Sequence, residues 1–156
     1  MSTIEFQDFQ SCGNWIDNQT KKDETVDEIK IFSPYFDKQI ATIPNSDRED
    51  LNQAVESASN AFHDWSRTNI RDRAQVMFRF KSIIENDIQN LSSIIALDSG
   101  KTIDDALGSI KRGIEVIDFA ISMPNILKGE SAEVGPGINC IMSHEPIGVV
   151  AGITPF

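Results

Sequence analysis

Seven consecutive residues, Ile147-Gly148-Val149-Val150-Ala151-Gly152-Ile153, are apolar without a break. A strand with one wet face alternates apolar and polar side chains, so an unbroken run suits a strand covered on both faces of an α/β sheet. Such a strand needs parallel neighbours, reached through crossover connections of a dozen or more residues. Only Thr154-Pro155-Phe156 follow it in the 156 residues. The expectation is an α/β unit that this sequence opens without finishing, with a ligand position at the carboxyl end of the strand, where open α/β sheets place their ligands.

Three helical patterns precede that run. Leu51, Ala54, Val55, Ala58, Ala61, Phe62 and Trp65 recur at the spacing of one helix face. Ser46, with Glu49 three residues on, predicts a capping box at the start of this helix, and Asp47, Glu49 and Asp50 place negative charge at its positive end. A second helical region spans residues 71–98, carrying Met77, Phe80, Ile84, Ile88, Leu91 and Ile95 on one stripe, with a bend near Asn86-Asp87 and a stop at Gly100. Thr102 then caps a third helix with Asp105 three residues later, and Pro124 ends it. Gly108 and Gly113 interrupt that helix at a cost of about 1 kcal/mol each, for which close approach of a neighbouring element is the expected compensation.

The first 42 residues read as a small β meander, with Ser33-Pro34-Tyr35-Phe36-Asp37-Lys38 as a turn between two β-prone pieces. Near the other end, Lys128-Gly129-Glu130-Ser131 reads as a loop. Gly135-Pro136-Gly137 leads into a strand over residues 138–144, and Pro146 separates that strand from the apolar run. The sequence contains no internal repeat or Gly/Ser linker, so residues 1–156 are read as one incomplete unit.

Charge and composition narrow the partners. With 24 acidic against 14 basic residues, the net charge of -10 opposes binding to a phosphate backbone, and nucleic acid is not an expected partner. No apolar run approaches the roughly 18–20 residues needed to cross a bilayer. The opening Met1-Ser2-Thr3-Ile4-Glu5 lacks the basic and apolar regions of a leader, so a cytoplasmic protein without membrane contact is expected. Cys12 and Cys140 lie far apart without CxxC spacing, which points to ordinary thiols and not to a disulfide framework or zinc site. The Asn-x-Ser/Thr matches at Asn18 and Asn90 carry meaning only in a secreted chain.

Motifs that could carry chemistry fail on context. Ser99-Gly100-Lys101-Thr102 resembles the end of a phosphate-binding loop, but Ile95 stands where that loop needs glycine, and a helix precedes it where a strand is required. His144-Glu145 lacks the second histidine of a zinc-protease motif, whose place is taken by Gly148. His63 and His144 read as solvated side chains, and Asp104-Asp105 as partners of a helix dipole. No GxGxxG fingerprint is present.

The residues taken together do resemble a family. The ending EPIGVVAGITPF is similar to the strand that opens the cofactor-binding sheet of aldehyde dehydrogenases. Upstream, Asn14-Trp15-Ile16, the helix ending at Phe62, Trp65-Ser66-Arg67-Thr68, FRFKSIIE, SGKT and RGIEVIDFA resemble the same family's amino-terminal third. LKGE at 127–130, the loop before INCIMSHEPIGV, and Phe156 resemble the methylmalonate-semialdehyde, CoA-acylating subfamily.

The resemblance implies the truncated amino-terminal part of the aldehyde dehydrogenase α/β fold: a β meander, three helices, an oligomerisation-type strand within about 136–145, and the first strand of the NAD-binding sheet. It implies NAD-dependent oxidation of malonate or methylmalonate semialdehyde, transfer of the acyl group to coenzyme A with loss of carbon dioxide, and a homo-oligomeric complete enzyme. In that chemistry a cysteine thiolate adds to the aldehyde, hydride leaves to the nicotinamide and a thioester remains. Neither Cys12 nor Cys140 matches the nucleophile, so no catalytic residue is expected within the 156. Thr154 and Phe156 match positions that line the NAD site, with Ile153 and Pro155 shaping the same wall. The family's Asn-Pro-Ala-Thr-Gly-Glu turn here reads Ser33-Pro34-Tyr35-Phe36-Asp37-Lys38, and loss of its glycine implies a changed hairpin turn. A second reading is a non-catalytic chain that docks on a full-length subunit, since unpaired apolar strand edges favour association.

Overall fold

The computed structural model describes residues 12–21 and 27–154. Strands β1 (Asn14–Ile16) and β2 (Gln19–Lys21) form one antiparallel hairpin, and β3 (Glu28–Ser33) and β4 (Lys38–Pro44) form another. Helices α1 (Arg48–Trp65), α2 (Ile70–Asn86), α3 (Ile88–Ser99), α4 (Ile103–Ile121) and the short α5 (Met123–Ile126) follow. A third hairpin, β5 (Glu130–Gly135) with β6 (Ile138–Met142), closes the described secondary structure. The mixed α/β class is as expected, but the first stretch is two separate two-stranded sheets and not a continuous meander.

The helices stop and start where local chemistry dictates. Asp47, not Ser46, is the cap of α1: its carboxylate accepts from the backbone N–H of Glu49 and Asp50, and the Asp50 side chain accepts from the Asp47 N–H in return. A carboxylate is a charge-assisted acceptor at the positive helix end and outcompetes the neighbouring hydroxyl. Ser46 is left to accept from the Asn14 side-chain amide at 2.8 Å, which ties the β1–β2 hairpin to the helix start.

The bend expected near Asn86-Asp87 is a complete break between α2 and α3, with Asp87 non-helical at φ -111°. Thr102 caps α4 as expected, its hydroxyl accepting from the Asp105 N–H at 3.1 Å. Pro124 does not end α4, which stops at Ile121; it sits in the first turn of α5, where its missing N–H costs nothing.

The core is built on α3, which is apolar around more of its circumference than its neighbours. Ser92, Ala96 and Leu97 are buried, Leu97 to 1% exposure, between α4 and the β3–β4 hairpin. Ala106 and Ile117 of α4 and Ile40 and Ala41 of β4 join it, and Ala74 of α2 and Ile16 of β1 are also buried. The buried hydroxyls are satisfied. Ser92 donates to the Ile88 carbonyl at 2.6 Å, and Ser33 donates to the Leu97 carbonyl at 2.5 Å. On the outer side, Lys81 of α2 reaches both carboxylate oxygens of Asp118 on α4, at 2.6 and 2.8 Å.

The close approach expected at the two interior glycines is corrected. Nothing stands within 4 Å of a Cβ built at Gly113, and at Gly108 only the Arg112 guanidinium does, at 3.8 Å, so no close approach offsets either residue. The β3–β4 turn survives without its glycine because Asp37, at the position where the family's turn has glycine, adopts φ +50°. Its N–H donates to the Ser33 carbonyl at 2.9 Å. Aspartate is among the few non-glycine residues that enter this left-handed region with modest strain.

The segment expected as a loop at 128–131 runs into β5, and β6 ends at Met142, two residues short of the expected strand. Apart from the half-buried Gly135, every residue of this hairpin is exposed.

Candidate functional site

Beyond β6 the chain passes Pro146 into the apolar run that promised a buried strand. Residues 143–154 belong to no strand, and the run's large side chains are in the open: Ile147 is 90% and Ile153 100% exposed. The correction has a simple cause. A segment becomes a strand only by pairing, and none of the three described two-stranded sheets includes this run. The run is therefore an exposed apolar ribbon outside every described sheet.

At its carboxyl end Thr154 is exposed, next to Ile153, and a Cβ built at Gly152 would meet open space. Pro155 and Phe156, the other residues of the expected cofactor wall, lie outside the described residues. Chemically, this end offers a hydroxyl, a glycine-opened backbone and a branched apolar side chain. Those are groups that can line a ligand, and the hydroxyl would need an adjacent base to act as a nucleophile.

The remaining candidates fall where their sequence context put them. Ser99-Gly100-Lys101-Thr102 is a turn between two helices: Gly100 ends α3 at φ +73° and Thr102 caps α4. His63 is exposed in the last turn of α1, with its Nε2 3.2 Å from the Arg67 guanidinium, and His144 is exposed beyond β6. Cys12 and Cys140 are both exposed free thiols. Among the described residues no group of three or more His, Cys, Asp or Glu side chains could hold a metal ion.

An open groove of about 450 Å³ runs between the β1–β2 hairpin and α1, with Asp17, Lys21, Gln53, Glu56 and Asn60 on its walls, but it contains none of the candidate residues. Lys81 is held above its ordinary 10.5 chiefly by the hydrogen bond to Asp118, which joins two helices and faces no site. No described helix is long and apolar enough to cross a membrane.

Three hairpins, helices packed on two of them and an exposed apolar ribbon with Thr154 at its end make up the described residues. The family model for aldehyde dehydrogenases matches residues 20–156, and the chain belongs to the aldehyde dehydrogenase family.

Within the family it is 44% identical over 127 residues to the malonate-semialdehyde dehydrogenase of Pseudomonas aeruginosa, covering 81% of this chain and 26% of that protein. It is 36% identical over 143 residues to a mitochondrial Caenorhabditis elegans protein described as an acylating methylmalonate-semialdehyde/malonate-semialdehyde dehydrogenase, covering 91% of this chain and 27% of that one. A Sinorhizobium meliloti protein described as a methylmalonate-semialdehyde dehydrogenase, crystallised with NAD, superposes with a TM-score of 0.84 at 34% identity over 88% of this chain and 28% of its own. The chain thus spans between a quarter and three tenths of the length of these relatives.

Proposed function

We propose that residues 1–156 are the amino-terminal part of the NAD-binding domain of a malonate- or methylmalonate-semialdehyde dehydrogenase of the CoA-acylating type. The observation that carries this reading is the agreement of sequence and fold over the same residues: 34% identity and a TM-score of 0.84 against a relative crystallised with NAD. Thr154, exposed at the end of the apolar ribbon, and Phe156 supply part of the NAD wall. The exposed Thr154 and the open space at Gly152 fit that role, because a ligand can reach the backbone there without meeting a side chain.

NAD supplies the hydride acceptor when bound; what these residues contribute is shape and orientation. By family likeness neither Cys12, ahead of β1, nor Cys140, on β6, matches the nucleophile, so this reading assigns the nucleophile and the groups that polarise the aldehyde to parts of the enzyme outside these residues. The 156-residue chain is therefore expected to be inactive by itself.

A graft tests the proposal. The chain replaces the matching segment of the Pseudomonas aeruginosa relative, and the product is assayed for NADH formation with malonate semialdehyde and coenzyme A. The chain alone is expected to give no NADH, and the graft to bind NAD and turn over. Turnover by the chain alone, or a folded graft that binds no NAD, would overturn the assignment. A non-catalytic chain that docks on a complete subunit is the second reading, favoured by the exposed side chains of β6; co-purification with the intact relative without added activity would support it.

A further inference from the structure

No further inference is drawn: the strongest candidate, the apolar surface made by the β5–β6 hairpin (Val134, Ile138, Ile141, Met142) and the ribbon at residues 147–153, carries nothing because no feature of the structure shows what covers it.

Discussion

Gly100 answers two demands together. Its φ of +73° lies in the left-handed region, and a Cβ there would come within 2.9 Å of the Pro34 ring in the β3–β4 turn. Gly100→Ala is expected to cost about 2 kcal/mol, from roughly 1–2 kcal/mol for the left-handed backbone plus the contact with Pro34, read as a lower urea midpoint. An unchanged midpoint would show that the turn relaxes freely. Gly113 is the opposite case: it is exposed within α4 with open space around it, so Gly113→Ala is expected to raise stability by about 1 kcal/mol. A fall in the midpoint would reveal a close neighbour after all. The sequence separates these glycines only in part. The one at the end of a helical stripe was legible as a stop, whereas an interior one could equally have marked close packing, and only the surrounding atoms decide. Asp37 is similar, since its left-handed geometry is not visible in its identity alone.

At the scale of elements, α2 and α4 are joined by the Lys81–Asp118 pair, with Glu85 3.7 Å from the same amine. Lys81 is raised above 10.5 in the folded chain, so it binds its proton more tightly there than when unfolded. The stabilisation is fully present below about pH 10.5 and is lost as pH rises through the raised value. Lys81→Met is therefore expected to lower the melting temperature at pH 7, with the gap to the parent chain narrowing as pH rises through the raised value. A gap that persists at high pH would assign the effect to packing of the lysine stem instead. Most elements were legible because their signals are local: the helical stripes, the Thr102 cap and the Gly100 stop each sit within a turn or two of what they control. Ser46 and Asp47 were not separable, because each has an acidic residue three positions on. Strand β5 was not legible because its apolar alternation is confined to Ala132 and Val134, and its conformation comes from pairing with β6.

For the whole molecule, burial is concentrated around α3, while α1 buries none of its residues and the third hairpin and apolar ribbon stand open. Exposed apolar edges favour association. The isolated chain is expected to self-associate at micromolar concentration, and Ile141→Lys with Val150→Lys to shift sedimentation toward the monomer; monomeric parent chain would show these surfaces to be innocuous. This is also why the candidate site was only half legible. The apolar run reads as a buried strand, yet it is exposed and unpaired, because whether such a run becomes a strand depends on partners distant in sequence, and Thr154 is assigned to the cofactor wall by family likeness alone. The Ser33–Leu97 hydrogen bond spans 64 residues, and that separation has a consequence in time. A ribosome adding about 5–20 residues per second takes on the order of 3–13 s to make the carbonyl that Ser33 is waiting for. A nascent chain stalled before Leu97 should leave the β3–β4 hairpin open to protease, and one stalled well beyond it should not. For those seconds the first-made part of the core has no inner wall to rest on.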